Sequence, residues 1–188
     1  MYESYHGLIF DMDGTLLDTE PTHLVAWRMV LERFNLTFDE SAMVAMNGAP
    51  TWRIAQAIID SQECRLSALE LAAEKTAIVQ RLLLDTVRPL PLIAVVKEWY
   101  GRRPLALGTG SSRELTHSLL THLDLLKYFD AVVTADDVQH HKPAPDTFLR
   151  CAQLMGVAPE KCLVFEDADF GIQAARRAGM DAVDVRVR

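Results

Sequence analysis

The sequence predicts an α/β fold: a doubly wound parallel sheet carrying an inserted helical cap. Three observations lead there. From residue 91 onward, short apolar, β-branched runs alternate with helical patterns, as parallel strands joined by crossover helices require. The stretch between the first strand and that alternation carries helical patterns and no convincing strand. The residues that follow the strands are polar, as expected where an active site lies beyond strand C-terminal ends.

Leu8-Ile9-Phe10 is the first strand. Glu20-Pro21 then opens a helix with Pro in its first turn, and Trp27, Val30, Leu31 and Phe34 recur at helical spacing. Residues 39–46 form a short helix. Pro50-Thr51 opens another with Ile54, Ala55, Ile58 and Ile59, and Ser67-Ala68-Leu69-Glu70 is a capping box leading into Leu71, Ile78 and Leu82. The regular part follows as helix 91–99, strand 104–109, helix 112–123, strand 131–135, helix 145–155, strand 162–166, helix 171–178 and strand 181–185. Gly101, Gly156 and Gly179 fall where helix C-terminal caps belong. Residues 1–15 and 89–188 are therefore expected to form the core and 16–88 the cap, with hinges near Thr19 and Arg88.

Composition narrows the function. At 188 residues and 49% apolar content the chain can bury a sizeable core. Its formal charge of -7 argues against nucleic-acid or anionic-membrane partners, which favour clustered Lys and Arg. No apolar run approaches the roughly 18 residues that span a bilayer. Cys64, Cys151 and Cys162 are odd in number and widely spaced, which disfavours a disulfide framework. With no basic-then-apolar leader, a cytoplasmic protein is expected, and a monomer.

The chemistry begins at Asp11-Met12-Asp13-Gly14-Thr15. Side chains alternate along an extended segment, so Asp11 and Asp13 can face one cavity. Two such carboxylates are stable together if a cation sits between them or one stays protonated. Either state serves phosphoryl transfer: one acid attacks phosphorus, and the other protonates the departing oxygen and later activates water. The second strand ends in Thr109-Gly110-Ser111, where hydroxyls and free backbone N-H groups can hold phosphate oxygens. The plain structural alternative for Ser111 is a capping box with Glu114. Past the third strand, two prolines fix the backbone around Lys142 in Lys142-Pro143-Ala144-Pro145-Asp146, which places a cation rigidly. The fourth strand ends in Glu166-Asp167, a second acid pair able to complete an oxygen-rich Mg2+ site. His140-His141 lack a third ligand and read as loop surface.

These motifs, present in order, resemble those of the haloacid dehalogenase superfamily in its β-phosphoglucomutase-like branch, and the resemblance covers nearly the whole chain. It implies a Rossmann-like core in which Asp11 is the nucleophile and Asp13 the general acid/base, Asp13 also binding metal through its backbone carbonyl. It implies Thr109 and Lys142 as catalytic phosphate ligands, and Mg2+ held by Asp11, Asp13, Glu166 and Asp167. The cap stretch Asn47-Gly48-Ala49-Pro50-Thr51-Trp52-Arg53 and the tail Glu166-Asp167-Ala168-Asp169-Phe170-Gly171 look like those of sugar phosphatases acting on fructose-1-phosphate and 6-phosphogluconate.

The expected function is therefore Mg-dependent hydrolysis of hexose phosphates through an aspartyl-phosphate. His23, one turn before Trp27, is expected to face the cleft with it. Asn47 and Arg53 are expected to contact the sugar phosphate together with Thr109, Gly110, Ser111 and Lys142. A hexose phosphate mutase with the same core is the alternative; mutases of this branch typically carry Lys where Asn47 stands. A dehalogenase lacks the second motif aspartate, and a non-catalytic relative would have lost one of Asp11, Asp13, Lys142 or Asp167.

Overall fold

The computed structural model describes residues 2–46 and 49–186; Asn47 and Gly48, part of the cap loop named above, lie outside the described residues. In chain order, β1 (Gly7–Phe10) and β2 (Leu17–Asp18) precede α1 (Glu20–Arg33), α2 (Glu40–Val44), α3 (Thr51–Asp60) and α4 (Ala68–Thr86). Then come β3 (Arg88–Pro89), α5 (Ile93–Trp99), β4 (Leu105–Gly108), α6 (Arg113–His122) and β5 (Ala131–Val133). The chain continues through α7 (Asp146–Met155), β6 (Cys162–Glu166), α8 (Asp169–Arg177) and β7 (Asp181–Asp184).

Five strands form one parallel sheet in the order β5-β4-β1-β6-β7. β1 is central and fully buried, which its uninterrupted apolar run allows. Alternation along β1 divides the core. Leu8 and Phe10 join Ile93, Val96, Leu115 and Leu119 of α5 and α6 on one face. Ile9 joins Phe148, Cys151, Ala174 and Ala175 of α7 and α8 on the other. Phe10 stacks on Phe165 of β6, with centroids 4.8 Å apart and planes within 4°. The first cluster runs on through Leu16 and Leu17 to Trp27, Val30, Ile58, Leu71 and Val79 of the inserted helices, so core and insertion share one continuous apolar body.

This strand order explains where a site can form. The chain leaves β1 for β4 and β5 on one side, then returns to β6 and β7 on the other. The ends of β4, β1 and β6 thus lie side by side at the switch point, where open parallel sheets bind ligands.

Two details correct the sequence reading. Residues 16–88 are not free of strand: Leu17 pairs with Pro89 and Asp18 with Arg88 in an antiparallel ribbon that joins the two ends of the helical segment. A two-residue strand has no periodicity to detect. The cap of α6 is also Ser112, whose side chain accepts from Leu115 N–H, which leaves the Ser111 hydroxyl free for the cleft. Elsewhere the expected ends are found: Ser67 and Glu70 form the reciprocal capping box of α4, and Gly101, Gly156 and Gly179 all have positive φ.

Candidate active site

The loop after β1 is built by one carbonyl. Met12 O accepts from Thr15, Leu16 and Leu17 N–H, which wraps the chain tightly and turns Asp11 and Asp13 to the sheet end. Gly14 sits at φ +79° with its would-be Cβ only 2.1 Å from Asp167 Oδ2, so neither the backbone nor the space admits a side chain there.

Lys142, 1% exposed, is the pivot. Its Nζ donates to Asp11 Oδ1 at 2.6 Å, Glu166 Oε1 at 2.7 Å and Gly108 O at 3.1 Å, and lies 4.8 Å from the Phe148 ring centroid. All three ammonium donors are used. Burial alone would lower this lysine's pKa, but Asp11 and Glu166 override it and hold Lys142 above its ordinary range. Glu166 is fully buried and spends its second oxygen on Ala168 N–H at 2.9 Å. Gly171 makes room for it, since a Cβ there would lie 1.7 Å from Glu166 Oε1.

The cluster remains short of positive charge. Asp11, Glu166 and Asp167 bring carboxylate oxygens within 4.8 Å of one another, with Lys142 as the cation bonded among them. Burial pushes Asp11 well up despite Lys142, and burial together with Glu166 pushes Asp167 up to about 7. A hard divalent cation fits this donor set, which is all oxygen and carries surplus negative charge. Glu166, with both oxygens committed, acts on the cluster mainly through Lys142, leaving Asp11 and Asp167 as the available carboxylates. The Asp13 carboxylate is not in this group.

Asp13 instead turns to the other side of the cleft. Its Oδ1 accepts from Thr19 Oγ1 at 2.6 Å and lies 3.4 Å from His23 Nε2. Its Oδ2 accepts from Ser111 Oγ at 2.8 Å and Thr109 Oγ1 at 3.3 Å. Burial would raise its pKa, but the contact with His23 and the hydroxyl donors bring it down overall. Behind His23 stands Lys75, its Nζ 2.5 Å from His23 Nδ1 and 5.6 Å from the Trp27 ring centroid. An ammonium has no lone pair, so Nδ1 accepts and the imidazole proton sits on Nε2, aimed at Asp13. Burial and the Lys75 charge lower the His23 pKa, consistent with a neutral ring. Burial also lowers Lys75, to about 8.

The cleft encloses about 770 Å3, its open mouth included, within the range of small-molecule sites. Asp11, Asp13, His23, Gly110, Ser111 and Asp167 line it, as the sequence reading expects, and Trp27 joins them. Thr109, Lys142 and Glu166 are buried; Thr109 and Lys142 bond the lining residues Asp13 and Asp11 from behind, and Glu166 bonds Lys142. Arg53 is not among the lining residues: α3 turns Thr51 and Ile54 to the cavity, and the Arg53 guanidinium lies over the Phe170 ring at 5.4 Å. The guanidinium expected to contact the sugar phosphate thus lies outside the cavity lining in this arrangement. His140, exposed, bonds Asp146 at 2.9 Å.

Sequence reasoning missed Lys75 and took Thr19 only for a hinge, not for a partner of Asp13. A signal for Lys75 was there: it falls four residues after Leu71 and three before Ile78, a charge inside the buried stripe of α4.

The parallel sheet brings a lysine-held carboxylate, at the end of its central strand, to a cleft beside a second acid pair, a site of hydrolase type. The chain belongs to the haloacid dehalogenase-like hydrolase family, whose model matches residues 8–185. It is 66% identical over 187 residues, covering all of both chains, to the fructose-1-phosphate phosphatase YqaB of Escherichia coli. It is 33% identical to a phosphorylated carbohydrates phosphatase of Thermotoga maritima, over 94% of this chain and 83% of that one. Among solved structures, a β-phosphoglucomutase from Clostridium difficile superposes with a TM-score of 0.83 at 25% identity, over 95% of this chain and 83% of the other.

Proposed function

We propose that this protein is a Mg2+-dependent phosphatase of hexose phosphates, fructose-1-phosphate first among them and 6-phosphogluconate also, acting through an aspartyl-phosphate on Asp11. The observation that carries the reading is the division of labour between the two loop carboxylates. Asp11 is held by Lys142 through one oxygen and has its other oxygen without a hydrogen-bond donor among the described residues. That Asp13 turns to hydroxyls and a histidine supports a role in proton transfer. Similarity to a fructose-1-phosphate phosphatase along the whole chain supports the choice of substrate.

In this reading Asp11 attacks phosphorus, the bond from phosphorus to the sugar oxygen breaks, and Asp13 gives that oxygen its proton. Asp13 is ionised at rest, so the proton reaches it from His23 Nε2, and His23 is replenished at Nδ1 from Lys75. Asp13 then takes a proton from the water that hydrolyses the acyl phosphate and passes it back through His23 to Lys75, which restores the resting state. Asp11 and Asp167, with the Asp13 backbone carbonyl, would hold Mg2+, which when bound supplies charge neutralisation for the phosphoryl oxygens. Ser111 and Gly110 N–H receive the phosphate from the cleft wall, Thr109 and Lys142 each turn to it a donor that is spent on Asp13 and Asp11 in this structure, and His23 and Asn47 meet the sugar. Residues 16–88 serve as the cap over the core of 1–15 and 89–188. Three unpaired cysteines support a reducing cytoplasm. No helix among the described residues is long and apolar enough to cross a membrane.

The test is phosphate release with and without EDTA from fructose-1-phosphate, 6-phosphogluconate, other hexose phosphates and β-glucose-1-phosphate. Metal-dependent release led by one sugar is expected. Glucose-6-phosphate formed without free phosphate, and only with catalytic hexose bisphosphate, would make the enzyme a mutase.

A further inference from the structure

Arg53 and Phe170 occupy a place that the reaction chemistry does not account for. Arg53 is exposed near the start of α3, and among the described residues its guanidinium has no carboxylate partner. It rests on the ring of Phe170, which stands in the first turn of α8, three residues after Asp167. Phe170 is half-buried yet, among the described residues, belongs to neither apolar cluster. A large aromatic that does not pack into a core has its ring face available, and an arginine plane is the partner such a face attracts. The turn carrying the ring is itself anchored: Asp169 accepts from Arg186 at 2.7 Å, and Arg186 also bonds Asp184.

We infer that Arg53 and Phe170 form a clasp across the mouth of the cleft, holding α3 against the loop that carries Asp167 and so setting how often the cavity opens to sugar phosphates. α3 packs on α4, and across the cleft Thr51 and Ile54 face Gly110, Ser111 and Asp167. The Arg53 contact bridges from that helix to the core at the rim. It is an exposed contact without a buried ion pair, strong enough to bias an equilibrium between open and closed states and weak enough to break at every turnover. Phe170 is thus a positioning residue: it touches no reacting atom and acts by keeping Arg53, and α3 with it, in place. The same geometry keeps Arg53 out of the pocket.

The inference rests on residues 16–88 acting as a cap, and its test is made without substrate so that it stands apart from the phosphatase reading. Ile54, 8% exposed and lining the cleft, becomes a reporter as Ile54→Cys in a Cys64→Ser background, followed by the rate of thiol labelling. Phe170→Leu keeps apolar bulk and removes the ring; Arg53→Met keeps the stem and removes the charge. Each should speed labelling roughly two- to fivefold, the bias expected of an exposed cation–π contact. The double variant should label no faster than either single one, and Phe170→Tyr and Arg53→Lys should stay near the parent. With substrate, both Phe170→Leu and Arg53→Met should raise KM alike. Unchanged labelling, or additive effects in the double variant, overturns the clasp. A KM raised by Arg53→Met but not by Phe170→Leu overturns it too, and returns Arg53 to direct substrate contact.

Discussion

Asp11, Gly171 and Lys75 show how single residues set this site. Asp11→Asn preserves the shape and a hydrogen-bond acceptor for Lys142 but removes the oxygen proposed to attack phosphorus, so turnover should be abolished while circular dichroism and melting temperature stay at or above the parent's. Activity close to the parent's would refute covalent catalysis at Asp11. At Gly171, helix propensity and sterics oppose each other. Alanine is favoured over glycine inside a helix by about 1 kcal/mol, yet its Cβ would overlap Glu166 Oε1, a partner of Lys142. The overlap cannot be relieved without breaking the Lys142 cluster, so Gly171→Ala should lower both melting temperature and turnover. Lys75 gives the pH dependence. Burial depresses its pKa to about 8, so it is charged below that pH and loses its proton above it. If it replenishes His23, kcat should fall as pH rises through about 8. Lys75→Arg should move that limb upward, because a guanidinium keeps its charge.

At the scale of elements, α6 carries an imperfection with a measurable cost. Thr116 is fully buried, and its Oγ1 has no hydrogen-bond partner among the described residues. An unsatisfied buried hydroxyl costs about 1–3 kcal/mol, while Thr and Val have similar helix propensities. Thr116→Val should therefore stabilise the protein by about 1 kcal/mol in urea or thermal unfolding, without changing KM. The elements also explain what the sequence disclosed. The strands and helices from residue 93 onward were legible because each has its own period and its own stop, as with Gly156 after α7. The ribbon of β2 and β3 was not, since Leu17–Asp18 and Arg88–Pro89 are too short for a pattern and owe their pairing to tertiary closure. The acid pairs could be found because strand order puts β4, β1 and β6 together whatever the cap does. Lys75 and Arg53 depend on how helices distant in sequence from the motif loops rotate about their axes, and a helix's facing is settled by packing: α4 turned a charge inward, and α3 turned one to the rim.

For the whole molecule, the decisive quantity is the surplus of buried negative charge at the sheet's end. Asp167 titrates near 7 in the folded chain, against an ordinary value of 3.8, and Asp11 is shifted in the same direction. The metal-free native state therefore holds protons that the unfolded chain has released. Stability falls with rising pH wherever the native state binds more protons, so the metal-free protein should lose melting temperature as pH rises from about 4 to 7 at this group. A divalent cation replaces those protons. Bound to the ionised cluster, as proposed above, it would stabilise the native state by mass action, so Mg2+ should raise the melting temperature most at pH 7.5 and little at pH 5. Each kcal/mol recovered is worth roughly 2–4 °C in a chain of this length. Asp167→Asn separates the two effects. With one charge removed and the Thr15 contact (3.2 Å) still available to the amide oxygen, the variant should be more stable than the parent in EDTA at pH 7.5, and should gain less from Mg2+. A parent protein whose melting temperature ignores both pH and Mg2+ across this window would mean that Lys142 alone balances the cluster, and that the acid pair at the end of β6 serves the fold rather than a cation.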